Sequence, residues 1–327
     1  MNPFALTLPT DLAQARQAHK DGAVFKAAGI DLVDRLKERK ESLPELVDLL
    51  RLKSAFGENR KTDTGIALSA LSTLRAIGES PLLASTGFTA LREAAAVAAT
   101  PQVRNRATLG GNLLQKARCW YLRSAGFTCV HGGDGPTCMA RDGENRYHAV
   151  LGCFDCVRVH PSNTATALCA LSAEAEIQTA DGTRRIPVRA LWPEFGLAGL
   201  PEHTLAQGEI LLAIHLPSSV ANGRSAYREA REKQSFDWPT TAAAAHVVLD
   251  GDRIRSASIC LGAVSPVPFV AGDAAQSLVG KTADDAAFSV AAQLAYSGAH
   301  ALSHNAYKIE QGKAVLVDAL RAACAKD

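Results

Sequence analysis

Five of the eight cysteines in this 327-residue chain lie close together, at Cys119, Cys129, Cys138, Cys153 and Cys156. Thiolates are preferred ligands of zinc and of iron–sulfur clusters, so this density indicates a metal centre. Only Cys153 and Cys156 are spaced like a zinc-binding pair, since the earlier gaps contain nine and eight residues. A cubane cluster also needs four thiolates but accepts irregular spacing from a long loop. The spacing alone leaves open a cluster, a zinc site completed by His131, His148 or His160, and cysteines that hold no metal.

Basic residues are concentrated around these cysteines. Residues 104–158 contain eight Lys and Arg against four Asp and Glu, whereas the net charge of the whole chain is only +2. The local excess suits an anionic cofactor or an acidic partner, and a solvated basic surface is the alternative. The nearly neutral whole argues against a nucleic-acid-binding protein. The other cysteines, Cys169, Cys260 and Cys324, lie in apolar stretches, which predicts buried core thiols.

Two glycine-containing segments could hold phosphate groups. In Lys26-Ala27-Ala28-Gly29-Ile30-Asp31-Leu32, a short strand turns into a helix, and the first N–H groups of a helix attract a pyrophosphate. In Thr108-Leu109-Gly110-Gly111-Asn112, the paired glycines permit close approach to a ligand, and Arg104 and Arg106 add positive charge. Ordinary turns are the alternative for both segments.

The elements that must position these segments follow from hydrophobic periodicity. The pattern predicts strands over residues 46–49, 175–179, 210–216, 241–249 and 255–264, and helices over 82–99, 164–171 and most of 283–325. The small polar stretch at 218–223 indicates a domain boundary. Locally paired strands followed by helices predict an α+β fold.

Several function classes are disfavoured by missing motifs. The sequence has no Gly-x-Ser-x-Gly, His-Glu-x-x-His, Gly-x4-Gly-Lys-Ser/Thr or Gly-x-Gly-x-x-Gly pattern, which argues against a serine hydrolase, zinc protease, P-loop NTPase or Rossmann dehydrogenase. No apolar run reaches the about 20 residues of a membrane span, and the first 20 residues do not read as a signal peptide. We therefore expect the cytoplasm, where thiols stay reduced, or the periplasm through co-export with a partner.

Taken together, these segments resemble the FAD-binding medium subunit of the xanthine dehydrogenase family of molybdenum hydroxylases. Residues 26–32 are similar to its first flavin motif, with Ala28 and Ile30 replacing Gly and Thr. Residues 103–113 are similar to the second motif, and residues 160–163 resemble the third, with Asn163 in place of Asp. The resemblance implies FAD contacts from Lys26, Ala27, Ala28, Gly29, Ile30, Asp31, Leu32, Arg104, Thr108, Gly110, Gly111, Asn112, Ser162, Asn163, Leu211 and Lys233.

The cysteine segment, residues 116–158, has a counterpart in a subset of this family. There an insertion between the second and third motifs binds a [4Fe–4S] cluster, as in 4-hydroxybenzoyl-CoA reductase and bacterial periplasmic aldehyde oxidoreductase, and residues 112–119 and 146–152 look most like the latter type. By this resemblance the cluster ligands are Cys119, Cys129, Cys138 and Cys156, and Cys153 is the rival for the fourth position.

The resemblance also implies an architecture and a role. The fold would be a two-part FAD-binding domain of the PCMH/vanillyl-alcohol-oxidase type at 1–217, followed by an α+β domain of the CO dehydrogenase flavoprotein type at 224–327. The subunit would hold no catalytic acid or base, and would relay electrons between a small [2Fe–2S] subunit and a carrier such as ferredoxin. A large subunit with a molybdenum cofactor would act on the substrate. A zinc-stabilised interaction protein and a stand-alone flavin reductase are the alternatives.

Overall fold

Three β-sheets organise the chain, each with its own helices. The computed structural model describes residues 1–20, 22–39, 41–193, 199, 201–233 and 236–325. The sheets define an N-terminal lobe, a second lobe and a C-terminal domain, and the cysteine segment lies between the last two. This mixture of helices and strands confirms the predicted α+β class.

The N-terminal lobe is a small parallel sheet with strand order β1-β3-β2. Parallel neighbours need crossover connections, which two helices supply. Its elements are β1 (Ala5–Thr7), α1 (Leu12–Lys20), β2 (Val24–Lys26), α2 (Ile30–Lys37) and β3 (Glu45–Asp48). Leu46 and Val47 on the central strand are fully buried. Gly29 ends the turn that connects β2 to α2. The lobe therefore presents the first predicted motif at the carboxyl end of an edge strand.

The second lobe contains an antiparallel sheet with strand order β4-β5-β8-β6-β7. The strands are β4 (Arg60–Thr62), β5 (Gly65–Ser69), β6 (Glu174–Gln178), β7 (Thr183–Pro187) and β8 (Ile210–Pro217). The helices are α3 (Lys53–Phe56), α4 (Leu74–Gly78), α5 (Thr89–Val97), α6 (Pro101–Arg104), α7 (Leu109–Leu113) and α9 (Asn163–Ala170). Helix α9 is buried along its whole length, so the third motif begins deep in the molecule.

The predicted helix over 82–99 is shorter than expected. Only α5 is α-helical, and two 3-10 helices, Pro81–Leu83 and Thr86–Phe88, precede it. The packing of Gly87 explains the interruption, since a Cβ there would lie 1.9 Å from the carbonyl oxygen of Val220. Alanine-rich composition favours a helix locally, but this tertiary contact decides the backbone path.

The cysteine segment has little regular structure. Its described residues include one short helix, α8 (Trp120–Arg123), and no strand. Tyr121, Ala140 and Val157 form a small buried core, on which four partly buried segment residues and one later residue pack: Cys119, Trp120, Cys138, Cys153 and Leu302. Gly143 passes directly over Tyr121, because a Cβ there would lie 2.4 Å from the tyrosine hydroxyl.

The C-terminal domain is an antiparallel sheet with strand order β12-β11-β10-β9. Its elements are β9 (Arg224–Ala230), β10 (Thr241–Asp250), β11 (Arg253–Gly262), β12 (Phe269–Val270), α10 (Gly272–Ser277), α11 (Asp285–Ala295) and α12 (Tyr307–Cys324). The run 242–245 is all alanine and fully buried, and alternate residues belong to different cores. Small side chains thus let β10 pack against α9 on one face and α12 on the other.

The tail is mostly helical, as predicted, since α11 and α12 cover most of residues 283–325 and residues 296–306 form turns between them. Those turns contact the cysteine segment, because the side-chain amide of Asn305 donates to the carbonyl of His148 at 3.2 Å. Across the described residues, every helix is too short or too polar to cross a membrane.

Candidate functional site

A cavity of about 550 Å³ is lined by residues of both glycine-containing segments. The predicted site residues that line it are Lys26, Ala27, Ala28, Gly29, Ile30, Asp31, Leu32, Thr108, Gly110, Gly111, Asn112, Asn163 and Leu211. Segments that are far apart in the sequence are therefore brought around one space. Its volume lies in the range typical of cofactor pockets.

The β2–α2 turn supplies a favourable position for an anion. Gly29 has φ of 78°, a left-handed conformation that favours glycine, and no described side chain caps the helix that follows. The first N–H groups of α2 consequently have no intrahelical acceptor and carry partial positive charge. Lys26 is held beside the turn, since its Nζ donates to Asp48 and to the carbonyl of Ala27, both at 3.0 Å.

Asp31, in the first turn of α2, is neutralised by arginines. Its carboxylate pairs with Arg35 at 3.1 Å, Arg118 at 3.1 Å and Arg123 at 2.6 Å. Burial raises its pKa, but the arginines, led by Arg123, outweigh burial and lower it. Because Arg118 and Arg123 belong to the cysteine segment, these ion pairs join that segment to the turn at the cavity.

The Gly-Gly segment uses its N–H groups within the protein. Gly110 donates to the carbonyl of Ala70 at 2.8 Å, and Gly111 donates to the hydroxyl of Thr108 at 3.1 Å. A Cβ on Gly110 would lie 3.1 Å from both the Cβ and the carbonyl oxygen of Ala70. Gly110 therefore allows α7 to pack closely on Ala70, which follows β5, and the small size of both glycines keeps the cavity wall open.

The second and third motifs are connected through Asn112. Its side-chain oxygen accepts bonds from the hydroxyls of Ser162 and Thr164, both at 2.6 Å. Ser162 also caps α9 by accepting from the N–H of Ala165 at 3.0 Å, and it is buried behind the cavity. Ser162 consequently positions Asn112 rather than facing the cavity itself.

Asn163 lines the cavity and connects it to the C-terminal domain. Its amide donates to the hydroxyl of Tyr227 at 2.9 Å and to the carboxylate of Glu229 at 2.7 Å. A carboxylate in place of this amide would face Glu229 with like charge. Asn at this position, in place of the family's Asp, is therefore compatible with the neighbouring carboxylate of Glu229.

Two predicted FAD contacts lie elsewhere. Arg104 donates from Nη1 to the carbonyls of Ala98 at 3.0 Å and Ala99 at 2.6 Å, which fixes the turn before α6. Lys233 is exposed in the loop after β9. Neither is among the described residues that line the cavity, and their contact with FAD stays a prediction.

Four of the clustered cysteines come together in the structure. Cys119 is close enough to Cys129 and Cys156 for their charges to interact, and Cys138 interacts with both Cys119 and Cys156. Among the described cysteines, only Cys156 influences Cys153, whose thiol donates to the carbonyl of Leu151 at 3.3 Å. Cys119, Cys138 and Cys156 therefore interact with one another, whereas Cys129 and Cys153 each interact with one member of that trio.

These thiols differ in their proton affinity. A hydrogen bond with Cys156 lowers the pKa of Cys138 to about 6, and the same bond, reinforced by burial, raises the pKa of Cys156. Burial raises the pKa of Cys119 to about 12, although the N–H groups of Leu122 and Tyr121 bond to its sulfur. Hydrogen bonds from backbone donors to cysteine sulfurs are among the features that set the reduction potential of an iron–sulfur centre.

A buried charged group separates the thiols from the cavity. Arg158 interacts with the Cys156 sulfur through its backbone N–H and its guanidinium, and its Nε lies 3.6 Å from Oε2 of Glu202. Glu202 lines the cavity and accepts from His131 at 3.2 Å. Burial opposes ionisation of Glu202, but the bond with His131 and the charge of Arg158 lower its pKa to about 2.

Comparison with known proteins identifies this combination. Residues 2–219 match the family described as the FAD binding domain in molybdopterin dehydrogenase, and residues 225–323 match the CO dehydrogenase flavoprotein C-terminal domain. The aldehyde oxidoreductase FAD-binding subunit PaoB of Escherichia coli strain K12 is 31% identical over 316 residues, covering 93% of this chain and 92% of that protein. The chain belongs to the FAD-binding medium subunits of the xanthine dehydrogenase and CO dehydrogenase family. This medium subunit is therefore part of an oxidoreductase.

Other relatives agree with this assignment. The carbon monoxide dehydrogenase medium chain of Afipia carboxidovorans is 27% identical over 269 residues, covering 82% of this chain and 76% of that one. The crystal structure of a Cu,Mo-CO dehydrogenase aligns with a TM-score of 0.76 at 23% identity over 99% of both chains. Quinoline 2-oxidoreductase from Pseudomonas putida 86 aligns with a TM-score of 0.74 at 22% identity, covering 99% of this chain and 97% of that one. The predicted fold, a two-part FAD-binding domain and an α+β C-terminal domain, is confirmed.

Several cavity residues of this medium subunit escaped sequence analysis. Phe56, Glu202 and His203 line the cavity, as does Trp238 from the β9–β10 loop. The guanidinium carbon of Arg118 lies 4.7 Å from the centre of the Trp238 ring, so a residue of the cysteine segment meets the C-terminal domain at the cavity. Local motifs contain no signal for such contacts, because they are made between segments that only the fold brings together.

The positions of the His, Cys, Asp and Glu side chains help to distinguish a single metal ion from an iron–sulfur cluster as the group that the thiols could hold. In the described residues, no group of three or more His, Cys, Asp or Glu side chains has the geometry to hold a metal ion. Cys119 does contact His148, with Sγ and Nε2 3.2 Å apart. A single zinc ion needs all its ligands about 2.0–2.3 Å from one point, whereas a cubane offers a separate iron to each thiolate and accepts wider sulfur spacing.

Proposed function

We propose that this medium subunit binds FAD in the cavity and a [4Fe–4S] cluster at Cys119, Cys129, Cys138 and Cys156, and transfers electrons between them. One observation carries the proposal: the predicted ligand thiols come together beside a cavity that residues of all three flavin motifs surround or support. Cys156 interacts with two other predicted ligands, Cys119 and Cys138, and Cys153 with neither, which supports Cys156 as the fourth ligand.

The cavity residues suit a dinucleotide. The free N–H groups at the start of α2 would hold the pyrophosphate, and the neutralisation of Asp31 by arginines removes a charge that would repel it. Gly110 and Gly111 leave room for close approach, while Leu211 offers an apolar wall. Bound FAD supplies the chemistry of exchanging one and two electrons, and the protein supplies position and electrostatics.

The cysteine segment suits an anionic cluster. Backbone N–H groups bond to the sulfurs of Cys119, Cys138 and Cys156, and Arg158 places a buried cation beside the last of these. Cys129 is held by its own N–H, which donates to Asp134 at 2.6 Å. Two of the thiols, Cys129 and Cys156, are almost fully buried, which protects an iron–sulfur centre from water.

The partners follow from the relatives. We propose a heterotrimer with a large molybdenum-cofactor subunit and a small [2Fe–2S] subunit, and an external carrier such as ferredoxin. The names of the relatives support this, since they are FAD-binding subunits and medium chains of larger enzymes. We also propose domains at 1–217 and 224–327, and the cytoplasm or, through co-export, the periplasm as the compartment.

Metal and flavin analysis of the complex tests the proposal. Anaerobically purified complex should contain one FAD and about four iron atoms per medium subunit, beyond the iron of the small subunit. Chelation of iron should remove the broad brown absorbance and leave the yellow flavin bands. Stoichiometric zinc at this segment would overturn the cluster assignment. Absence of flavin from otherwise intact complex would overturn the cavity assignment.

A further inference from the structure

Arg158 is an unusual residue in the cysteine segment, because it is buried without full compensation. Its side chain is 4% exposed, and among the described residues its Nε and Nη1 atoms have no hydrogen-bond partner. The nearest carboxylate oxygen, in Glu202, is 3.6 Å from Nε and beyond a hydrogen bond. Buried N–H groups without acceptors are costly, so an acceptor or an anion is expected nearby.

The position of Arg158 indicates what that anion is. Its guanidinium and backbone N–H both interact with the sulfur of Cys156, and Glu202 on its other side lines the cavity. The cation therefore lies between a proposed cluster ligand and the flavin cavity. Arg123, another buried arginine of the segment, pairs with Asp31, whereas Arg146 has a side chain that is 52% exposed and pairs with Glu144.

A cation in this place has a defined electrostatic effect. A cubane held by four thiolates has net negative charge, and each added electron makes that charge larger. A nearby buried cation stabilises the reduced state more than the oxidised state, and it does so strongly because the surroundings have a low dielectric constant. Net charge and hydrogen bonds to the sulfurs are main determinants of cluster potentials.

We propose that Arg158 raises the reduction potential of the cluster through its buried charge at Cys156, and that Glu202 positions its guanidinium. This rests on the proposed function, since it requires a cluster on the grouped thiols. It goes further in naming the residue that sets the potential, and hence how readily electrons pass between the cluster and FAD.

Redox titration of the purified holo-complex, followed by the electron paramagnetic resonance of the reduced cluster, tests this. Arg158→Gln removes the charge and should move the midpoint of the cluster to lower potential. Arg158→Lys keeps the charge and should leave the midpoint near that of the wild type. Arg146→Gln removes an exposed cation from the same segment and should leave the midpoint unchanged, because solvent screens that charge.

The outcomes separate the failure of this inference from failure of the proposed function. If wild-type complex shows no cubane signal and lacks the extra iron, the proposed function itself is wrong. If the signal is present and Arg158→Gln titrates like the wild type, Arg158 does not set the potential. If the lysine and glutamine variants shift equally, the loss of packing rather than of charge is responsible, and the inference is overturned.

Discussion

The cavity and the cysteine segment are adjacent but are built in opposite ways. Regular strands and helices surround the cavity, and one large core supports them, with Leu68, Leu109 and Ile214 fully buried. The cysteine segment has a single helical turn and a buried core of three residues. A small core contributes little stability, and small domains of this kind usually depend on a metal or on disulfides.

This difference predicts different dependence on the cofactors. The cavity is formed by elements that are stable through their own packing, so its shape should persist when flavin is removed. The cysteine segment should depend on its cluster, because metal binding and folding are coupled when the metal supplies much of the stability. Besides the proposed cluster, the segment relies on charged anchors to its neighbours, namely Asp31, Glu202 and Lys308.

The largest effect should follow loss of a cluster ligand. Cys156→Ser should remove most of the extra iron, and with it the part of the brown absorbance beyond that of the proposed small [2Fe–2S] subunit, while leaving the bound FAD, because only the cysteine segment depends on that thiolate. Iron analysis and visible spectra of the complex measure both. Cys153→Ser, at the margin of the group, should retain the iron, as should the distant control Cys324→Ser. Loss of iron from Cys153→Ser alone would exchange the assignments of Cys153 and Cys156.

The next effect concerns the anchor at Lys308. This residue is fully buried, and its Nζ donates to the carbonyls of Tyr147 at 3.1 Å, His148 at 2.9 Å and Ala263 at 2.7 Å. Three acceptors match the three N–H groups of an ammonium. Lys308→Met would leave those carbonyls without donors and should lower the free energy of unfolding by about 3 kcal/mol.

Hydrogen exchange locates the effect of that substitution. Amides of residues 147–151 should exchange faster in Lys308→Met, whereas amides of strand β8 beside the cavity should be unaffected. Lys281→Met, at an exposed lysine, is the matched control and should change neither region. If the amides of β8 exchanged faster by the same factor, the cavity and the cysteine segment would unfold together. That result would contradict the difference in construction between the two regions.

Two glycine substitutions, one in the cysteine segment and one at the cavity, test whether the two regions can be perturbed separately. A Cβ at Gly143 would lie 2.4 Å from the Tyr121 hydroxyl, and one at Gly110 would lie 3.1 Å from Ala70. Gly143→Ala should cost about 2 kcal/mol through overpacking and reduce iron content while leaving FAD. Gly110→Ala, with the milder contact, should reduce FAD content and leave iron. If either variant lost both iron and FAD, the cavity and the cysteine segment would not be structurally independent.

The smallest effect should come from the ion pairs that join the regions. Asp31→Asn should lower the free energy of unfolding by about 1 kcal/mol near neutral pH, once solvent screening is allowed for. The folded pKa of Asp31 lies below its ordinary value of 3.8, so its contribution is complete above that value and is lost as the pH falls through the folded pKa. Denaturation measured from pH 7 downwards should show the difference in free energy of unfolding between wild type and variant shrinking as the pH falls below 3.8. A difference that stays constant below that pH would mean that Asp31 acts through packing.

Local patterns were sufficient to predict much of the fold. The strands over 46–49, 175–179, 210–216, 241–249 and 255–264 correspond to β3, β6, β8, β10 and β11 within a few residues. Period-two alternation and turn residues are properties of a few neighbouring positions, so the sequence alone carries them. The prediction for helix 82–99 was too long, because packing of Gly87 overrides helix propensity, whereas the mostly helical tail is confirmed by α11 and α12.

The sequence by itself determined the family, three segments that resemble flavin motifs, and a prediction of four ligand thiols in which Cys153 is the rival of Cys156. The tertiary structure alone decided how these parts are connected. It brought Arg118 to Trp238, Asn163 to Glu229 and Arg158 between Cys156 and Glu202. Each of these contacts joins segments whose spacing along the chain has no relation to their distance in space. Motifs report which side chains a site contains, but charge and burial at a site depend on neighbours that only folding supplies.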